Sequence, residues 1–415
     1  MADRLLLIAD DLTGALDTAV RFSRAGASTF VTTRRPPSGF ETDAAVLAAD
    51  IESRHVPPAE AADRVKQWVE AARLAGITSV YKKTDSTLRG NVGAELAALL
   101  QAAGRRELYF VPALPDAGRI TRGGIQYVDG QPLRLSRYSG DIAGPVHDSS
   151  VSAIIASQAD TDVVCVPRGA DPAAVLAKAP RPVILVFDAE TVADLDGIAA
   201  GLAVLDPPPR LLAGCSGFAS VVPRLLGLGT GAAPAPGTPA LSPPPPSQPV
   251  LSPPLLVVCG SLNEVSTAQV RQGQAAGIRC WDMGARPPGG TAGQMRLVVD
   301  ALRRDGAAVL TTGKSLPDSC DVVRRVLREV SVGTLAVFGG DTAFGIMDRL
   351  GVTGVWPLAE ICQGVVVSRL EVAPFAVPTA AAPAAAATIH LVTKAGGFGP
   401  RDVIQRIRRA LKEGA

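Results

Sequence analysis

Two adjacent acids, Asp10 and Asp11, directly follow the apolar run Leu5–Ala9 and precede a segment expected to be helical. Neighbouring carboxylates repel each other unless a cation, a hydrogen-bond donor or a proton lies between them. One of them could therefore accept the proton of a substrate hydroxyl or bind a metal-linked group. The alternative is a helix N-cap at Asp11 or Thr13, which accounts for one acid but not for both.

A second polar segment, from Lys83 to Asn91, crowds cations, an acid and hydroxyls between an apolar run and a helical segment. Arg89 offers a planar fork that suits a carboxylate, and Lys83 offers a point charge. Asn91 can cap the next helix, whose free N–H groups would add to an anion site. A solvated turn is the alternative, but such turns seldom need this many hydrogen-bonding types. The segment predicts an organic-anion site that includes Asp85 and Ser86.

A third loop, stiffened by Pro112 and Pro115, presents Asp116 and Arg119 after another apolar run. Proline fixes the backbone dihedral φ and removes a donor, so we expect this loop to be rigid. A rigid connection and a substrate contact explain the pattern equally well, and both interpretations stay open.

Glycine-rich turns follow three apolar runs in the second half of the chain. Glycine lets the backbone approach an anion closely and supply N–H donors. A single turn of this kind is weak evidence, but three of them, one carrying Lys394, predict a nucleotide-phosphate site. A P-loop is excluded at residues 312–315, because Ala308 stands where its first glycine is needed. The candidate residues for the phosphate site are Ser261, Gly339, Gly340, Asp341, Thr342 and Gly396.

Short Val, Ile and Leu runs alternate with amphipathic helical segments in both halves of the chain. Continuous apolar runs joined by helices require a parallel sheet that is covered on both faces. The sequence thus predicts two doubly wound, mainly parallel α/β domains, with the first helix at residues 17–25 and one strand at residues 45–48. In such sheets, ligands bind beyond the carboxyl ends of the strands, which is where the polar segments lie. The GxGxxG run that a nicotinamide-dependent dehydrogenase would need does not follow any of these strands.

A tract rich in proline, alanine, glycine and serine covers residues 227–254 and marks the predicted domain boundary. Proline favours extended chain without backbone donors, so we interpret the tract as a semi-stiff linker. It separates an N-terminal domain of residues 1–226 from a C-terminal domain of residues 255–415. A second low-complexity stretch, residues 373–387, is interpreted as a surface insertion.

The composition argues against several classes of protein. The formal net charge is +2 and 47% of the residues are hydrophobic, so neither a nucleic-acid-binding surface nor wholesale disorder is expected. The six cysteines and three histidines show no metal-ligand spacing, and no metal ligands are assigned. The N-terminal apolar run is too short for a signal peptide or a membrane span. We therefore expect a cytoplasmic protein without a membrane or nucleic-acid partner.

Taken together, the motifs resemble those of the four-carbon acid sugar kinase family, formerly a domain of unknown function. The most specific pair is ADDLTGA followed by DSTLRGN, and the resemblance extends in order over nearly the whole chain. The sequence departs from the family at Gln363-Gly364-Val365-Val366, where a Pro-Gly-Val-Pro-like turn is usual. Further segments similar to family signatures are VPALPDAGR at 111–119, LLAGCSGFA at 211–219, VVCGSLNEVSTAQV at 257–270, VFGGDTAFGIM at 337–347 and LVTKAGGFG at 391–399.

The resemblance implies an ATP-dependent kinase that phosphorylates a hydroxyl, expected to be the terminal one, of threonate, erythronate or 3-oxo-tetronate. The N-terminal domain would hold the sugar acid and the C-terminal domain would hold ATP, with Mg²⁺ bridging its phosphates. The nucleotide contacts would come from the serine and glycine turns already named, namely Ser261, residues 339–342 and Gly396. The acid-sugar site would be lined by Asp10, Asp11, Lys83, Asp85, Ser86 and Arg89.

Asp11 is the first candidate for the catalytic base in this interpretation, and Asp85 is the second. A homodimer is compatible with the sequence. The alternative function is a sugar-acid sensor without transfer activity, which the departure at Gln363 and the alanine-rich stretch would allow.

Overall fold

The computed structural model describes residues 4–34, 36, 42–140, 145–229, 251–284, 290–312, 316–371 and 388–412. The chain divides into two compact units, one formed by Met1–Phe30 and Arg34–Ala240 and the other by Val31–Thr33 and Leu241–Ala415. Most of the predicted linker, residues 230–250, lies outside the described residues, and so does the predicted insertion, residues 373–387.

The first unit contains a parallel sheet with the strand order β3-β1-β4-β11-β5-β10-β9. The apolar runs become its strands, and β1, β3, β4 and β10 are buried along their whole length. A small antiparallel sheet, β6-β7-β8, follows the third polar loop. The strands are β1 (Leu5–Ala9), β2 (Thr29–Thr32), β3 (Val46–Asp50), β4 (Ser79–Lys83), β5 (Glu107–Val111), β6 (Arg119–Arg122), β7 (Ile125–Val128), β8 (Gln131–Pro132), β9 (Asp162–Val166), β10 (Val183–Phe187) and β11 (Leu211–Gly214).

The helices of the first unit connect these strands. The first of them begins at residue 12 rather than at the predicted residue 17, because Asp11 accepts the hydrogen bond that caps its first turn. Gly26, Gly76 and Gly104 follow three of the helices with positive φ, as expected for helix ends. The helices are α1 (Leu12–Arg24), α2 (Pro58–Leu74), α3 (Val92–Ala102), α4 (Val151–Ala156), α5 (Pro172–Leu176), α6 (Val192–Ala203), α7 (Ser216–Ala219) and α8 (Val222–Leu225).

An apolar cluster fixes α2 and α3 against the sheet. Val65 and Trp68 of α2, Leu96 of α3 and Phe110 of β5 are all buried in it. Burying a side chain of this size contributes about 1.5–3 kcal/mol. The cluster therefore holds the strands and the loops after them in a defined arrangement.

The second unit contains a sheet with the order β13-β14-β12-β15-β18-β17-β16. The first five of these strands are parallel, and the last two pairings are antiparallel. The strands are β12 (Leu255–Cys259), β13 (Cys280–Asp282), β14 (Ala307–Thr311), β15 (Thr334–Phe338), β16 (Gly354–Cys362), β17 (Val365–Glu371) and β18 (Thr388–Lys394). The helices are α9 (Glu264–Ala275), α10 (Gly290–Asp305), α11 (Leu316–Glu329), α12 (Gly340–Leu350) and α13 (Val403–Lys412).

The predicted fold class, α/β with mainly parallel sheets, is confirmed by these strand pairings. The antiparallel strands β16 and β17 meet at Gln363-Gly364, the segment at which the sequence departs from the family pattern. Across the described ranges of the chain, no helix is both long and apolar enough to span a membrane.

Candidate active site

The carboxyl ends of β3, β1 and β4 lie side by side, because these strands are parallel neighbours. Ala9, the last residue of β1, is paired with Asp50 at the end of β3 and with Lys83 at the end of β4. Asp10 and Asp11, which follow β1, therefore meet residues that follow the other two strands. The sheet order brings the first two polar segments of the sequence into one ion cluster, defined here as Asp10, Asp11, Arg54, Lys83, Asp85 and Arg89.

Arg54 lies at the centre of this ion cluster, although the sequence motifs do not single it out. Its Nε donates to Asp10 Oδ2 at 2.7 Å, and its Nη1 donates to Asp11 Oδ2 at 3.1 Å. Its Nη2 lies 3.9 Å from Asp85 Oδ1. The signal that could have found Arg54 is its position in the loop after Asp50, the last residue of β3. One guanidinium thus joins acids from two of the predicted segments.

Lys83 approaches the same two aspartates from the end of β4. Its Nζ lies 3.0 Å from Asp10 Oδ1 and 3.2 Å from Asp11 Oδ1. Gly14 makes room for it, because a Cβ at that position would lie 2.0 Å from Lys83 Nζ. The motif therefore needs glycine at position 14 so that the ammonium can reach the acids.

Asp11 caps α1, which is one of the two roles that the sequence left open, and it is also paired with cations. Its Oδ1 accepts the backbone N–H of Gly14 at 3.0 Å, which caps α1, and its Oδ2 accepts the hydroxyl of Thr13 at 2.8 Å. The same carboxylate contacts Arg54 and Lys83. An acid that caps a helix while it is paired with two cations is held in one orientation.

Asp85 and Arg89 form an ion pair within one turn. Arg89 Nε donates to Asp85 Oδ2 at 2.9 Å, and Arg89 Nη2 donates to Asp85 Oδ1 at 3.1 Å. The backbone N–H of Thr87 also donates to Asp85, at 3.2 Å. The guanidinium of Arg89 lies 5.5 Å from the ring centroid of Tyr138. The fork of Arg89, predicted to suit a carboxylate, thus lies against an acid of its own loop.

The prediction that Asn91 caps α3 is wrong, because its side chain makes no cap hydrogen bond. Its Nδ2 donates instead to the carbonyl oxygens of Ser53 and Val56, at 2.8 and 2.9 Å. These residues flank Arg54, so Asn91 holds the loop that carries the central guanidinium.

A buried ion pair lies next to the ion cluster. Lys82 Nζ is 2.9 Å from Glu95 Oε2, and the two side chains are 0% and 2% exposed. The hydroxyl of Ser53 donates to Glu95, and Lys82 Nζ donates to the carbonyl of Lys83 at 2.7 Å. Glu95 of α3 is therefore linked directly to Ser53, and through Lys82 to the carbonyl of Lys83.

The charges of the cluster shift one another's pKa values. Burial alone would raise the pKa of Asp85, but Arg89 and Arg54 outweigh it and hold that pKa well below its usual range. The pKa values of Asp10 and Asp11 are also lowered, because Arg54 and Lys83 outweigh the effect of burial. These three acids are therefore ionised at neutral pH, and each is a weak base that can still accept a hydrogen bond.

We expect the free energy of unfolding to fall steeply below a pH of about 4, the usual pKa of an unfolded aspartate. Asp10, Asp11 and Asp85 have lowered pKa values in the folded chain, so the unfolded chain binds protons first and the stabilisation is lost on acidification. Asp50 and Glu95 act in the opposite direction, because burial raises their pKa values and the folded chain then binds protons first. Urea unfolding at a series of pH values should thus show a stability maximum at mildly acidic pH.

A chain with Asp85→Asn and Arg89→Gln is the control for this curve, since it lacks one of the lowered acids together with its cation. Its stability should fall less steeply on the acid side. A wild-type curve that is flat from pH about 7 to about 3 would contradict the assignment.

Three further candidate residues of the first unit are Ser86, Asp116 and Arg119. Gln126 Nε2 donates to the carbonyl of Ser86 at 3.1 Å, and the side chain of Ser86 is half-buried. Arg119 is buried and donates to the hydroxyl of Tyr138 at 3.1 Å. The ring of Tyr138 also contacts the guanidinium of Arg89, so Tyr138 lies between the two arginines. Asp116 is exposed. Of the two residues in the third loop, Arg119 is the one connected to the ion cluster.

In the second unit, β12, β15 and β18 are parallel neighbours and bring the three glycine turns together. Phe338, the end of β15, is paired with Cys259 on one side and Lys394 on the other. The backbone N–H groups of Gly260 and Ser261 both donate to the carbonyl of Phe338, at 3.0 and 3.1 Å. The predicted turns thus meet at one edge of the sheet.

Two glycines allow the turns at this edge to pack closely. A Cβ at Gly260 would lie 1.9 Å from Thr342 Oγ1, and a Cβ at Gly396 would lie 3.0 Å from Ser261 Oγ. Gly339 has a φ of +116° and directly precedes α12, whose first turn contains the exposed Asp341. Backbone N–H groups at the start of a helix can donate to a phosphate.

Among the described residues, no group of three or more His, Cys, Asp or Glu side chains is arranged to hold a metal ion. The acids of the ion cluster are instead paired with arginine and lysine.

Comparison with known proteins supports a sugar-binding α/β protein. The family model of the sugar-binding N-terminal domain matches residues 5–222. A D-threonate kinase of Bordetella bronchiseptica is 30% identical, over 98% of this chain and 97% of that protein. A 3-oxo-tetronate kinase of Cupriavidus necator is also 30% identical, over 99% of this chain and 98% of that protein.

A crystal structure of a Haemophilus influenzae protein has the same fold, with a TM-score of 0.70 at 22% identity, over 98% of this chain and 100% of that one. The matched family model and the strand pairings thus define a protein of the α/β class with a sugar-binding N-terminal domain. The chain belongs to the four-carbon acid sugar kinase family.

Proposed function

We propose that this protein is an ATP-dependent kinase that phosphorylates a hydroxyl, expected to be the terminal one, of a four-carbon acid sugar. The observation that carries the proposal is the ion cluster at the ends of β1, β3 and β4, within a chain similar over its full length to curated acid sugar kinases. Threonate, erythronate and 3-oxo-tetronate are the candidate acids. A cytoplasmic location and a homodimer stay predictions.

The cations of the ion cluster are suited to bind the carboxylate of the sugar acid. Lys83 has three N–H donors and contacts two carboxylates, which leaves a donor for a bound anion. Arg54 and Arg89 add positive charge beside Lys83, while their planar forks hold Asp10, Asp11 and Asp85 in a fixed geometry. The charges are already held by their neighbours, so little reorganisation is needed when the substrate binds.

The acids are suited to orient the hydroxyl that attacks. Asp11 and Asp85 are fixed by hydrogen bonds and ion pairs, and each carboxylate can accept the hydrogen bond of a substrate hydroxyl. The hydroxyl oxygen then forms a bond to the γ-phosphorus as the bond to the β-γ bridging oxygen breaks, and ADP leaves with that electron pair. Asp11 is proposed to take the hydroxyl proton late in this step, because its lowered pKa makes it a weak base beforehand.

The second unit is proposed to hold ATP through Ser261, the turn of residues 339–342 and Gly396. The supporting observation is that the three glycine turns meet at one edge of the sheet, next to the first turn of α12. Mg²⁺ is expected to arrive with ATP, because this ion is usually bound by substrate phosphates and only one or two carboxylates. When bound, it would neutralise charge on the phosphates.

The proposal is tested by a screen of purified protein with ATP and a panel of four-carbon acids, in which ADP release is measured. Asp11→Asn and Asp85→Asn should each lower kcat by about 100- to 10,000-fold on the preferred acid. Asp63→Asn is the matched control, because its side chain is 67% exposed on α2. Near-normal turnover in both cluster variants would remove the roles proposed for these acids.

A sugar-acid sensor is the second candidate, favoured by the departure from the family pattern at Gln363-Gly364. In the structure this segment forms the turn between β16 and β17, where the N–H of Gly364 donates to Glu360 at 2.9 Å. Calorimetry separates the two functions, because a sensor binds the acid without binding ATP and Mg²⁺. Binding of both ligands together with ADP release would exclude the sensor.

A further inference from the structure

Lys394 is a buried cation whose charge is surrounded by backbone carbonyls. Its side chain is fully buried at the end of β18. Nζ donates to the carbonyls of Ala395, Gly396 and Phe398, at 3.0, 2.9 and 3.3 Å, and to the hydroxyl of Ser266 at 3.0 Å. It also lies 5.0 Å from the ring centroid of Phe338. The sequence pattern placed this lysine among phosphate-binding residues, but the structure directs it into the loop that follows it.

The positions of these carbonyls determine where the N–H groups of the same loop point. In a trans peptide the C=O and the following N–H lie on opposite sides of the bond. The peptides whose oxygens contact Lys394 carry the N–H groups of Gly396, Gly397 and Gly399. Each of these donors is therefore turned away from the lysine, and all three belong to glycines. None of the three has an acceptor among the described residues.

The outer side of this loop is the side at which the glycine turns meet. A Cβ at Gly396 would lie 3.0 Å from Ser261 Oγ, so Gly396 lies directly against the turn that follows β12. Gln269 reinforces the arrangement, because its Nε2 donates to the carbonyls of Phe398, Gly399 and Pro400 at 2.9 to 3.1 Å. The carbonyls of the loop after β18 therefore point toward Lys394 and Gln269 of α9. The glycine N–H groups of the same loop point to the opposite side.

We propose that Lys394 is a positioning residue for nucleotide binding, which gathers the carbonyls of Ala395, Gly396 and Phe398 and so aims the glycine N–H groups at the phosphates of ATP. The inference rests on the proposed function and assigns Lys394 a role without direct contact to the nucleotide. The lysine is useful here because its charge can satisfy several carbonyls at once.

Burial lowers the pKa of Lys394 to about 8, and the titratable groups nearest to it are the thiols of Cys259 on β12 and Cys362 on β16. Burial raises the pKa of both thiols, that of Cys362 to about 11, so they stay neutral where the lysine titrates. Ser266, Gln269 and Phe338, which also contact this region, do not ionise. The ammonium should therefore lose its proton at mildly alkaline pH, and the loop should lose its inner anchor.

The test compares Lys394→Met with Thr393→Val, whose side chain points to the opposite face of the same strand. Lys394→Met should raise the KM for ATP by about 10- to 100-fold and leave the KM for the acid within about twofold. Thr393→Val should leave both constants near their wild-type values. A general loss of structure would change both constants, so this split separates positioning from folding.

The wild-type protein supplies a second readout that needs no variant. Its KM for ATP should rise above a pH of about 8, while its KM for the acid should not follow. A KM for ATP that stays flat to a pH of about 9.5 would overturn the inference.

Calorimetry with a non-hydrolysable ATP analogue distinguishes a failed inference from a failed function. If the wild type binds the analogue and Lys394→Met binds it equally well, the inference is overturned and the proposed function stands. If the wild type binds no analogue, both are overturned.

Discussion

Replacing Arg54 with methionine is expected to lower kcat/KM for the acid sugar by about 100- to 1,000-fold, because truncating one partner of a buried charge pair costs about 2–5 kcal/mol. The planar guanidinium of Arg54 contacts Asp10 and Asp11 and also lies 3.9 Å from Asp85 Oδ1. Its loss removes positive charge from the proposed acid-sugar site and leaves carboxylates unpaired that would repel the substrate anion. Steady-state kinetics over the acid concentration should show the effect, while the KM for ATP stays near its wild-type value.

The same substitution destabilises the fold, and the experiment has to separate the two effects. Asp10 and Asp11 would remain buried beside Lys83 alone, which is expected to cost about 3–5 kcal/mol of unfolding free energy. Arg54→Lys keeps a charge at the site but cannot form the fork that joins the acids, so it should recover stability more than activity. Arg73→Met is the control, because Arg73 lies on α2 with its side chain 64% exposed. A folded Arg54→Met protein with kcat/KM within about threefold of wild type would contradict this account.

The acids and cations next to β1 and β4 could be predicted from the sequence because each follows an apolar run directly. Arg54 could not be found in the same way, since the end of β3 was placed at residue 48 whereas the strand continues to Asp50. The polar residues 52–54 were therefore not recognised as a loop at the carboxyl edge. Which cation meets which acid depends on the sheet order β3-β1-β4, and a single segment does not contain that order.

Asn91 illustrates a different limit. Its position before a helix predicts a cap, and that local preference is worth about 1 kcal/mol. In the folded chain, its side chain instead makes two hydrogen bonds to the loop around Arg54. A tertiary contact between residues far apart in sequence outweighed the local preference, and no local pattern signals such a contact.

Lys82 and Lys83 show what strand alternation can and cannot predict. Adjacent residues of a strand point to opposite faces, so one of two neighbouring lysines in a parallel sheet must face away from the other. The structure directs Lys83 to the ion cluster and Lys82 to Glu95 of α3. Strand alternation accounts for the separation of the two lysines, but the acid that pairs with Lys82 lies on α3 and is brought to it only by the packing of that helix on the sheet.

This buried pair leads to the second large effect, on stability rather than on binding. Lys82→Met should leave the carboxylate of Glu95 buried without its cation, and Glu95→Leu should leave the ammonium of Lys82 buried without its acid. Each single substitution is expected to cost about 3–5 kcal/mol of unfolding free energy. The double variant Lys82→Met, Glu95→Leu should lose far less unfolding free energy than the two single variants lose together, because no uncompensated charge remains. Urea unfolding of all four proteins measures this coupling.

The exposed pair Lys66 and Asp63 on α2 is the matched control for the buried pair. Its ions are 3.7 Å apart with side chains 46% and 67% exposed, so the coupling measured with Lys66→Met and Asp63→Leu should stay below about 1 kcal/mol. If the losses of unfolding free energy caused by Lys82→Met and Glu95→Leu were additive, the buried ion pair would not be the source of the destabilisation.

Activity of the double variant then shows what the buried pair contributes besides stability. Glu95 accepts the hydroxyl of Ser53, which precedes Arg54, and Lys82 donates to the carbonyl of Lys83. A methionine and a leucine fill similar space but make neither hydrogen bond, so the double variant should fold well and still bind the acid sugar more weakly. A double variant with wild-type stability and wild-type KM would show that packing alone positions Arg54 and Lys83. A raised KM in a stable double variant would show that the ion pair is kept because it holds Arg54 and Lys83 in place.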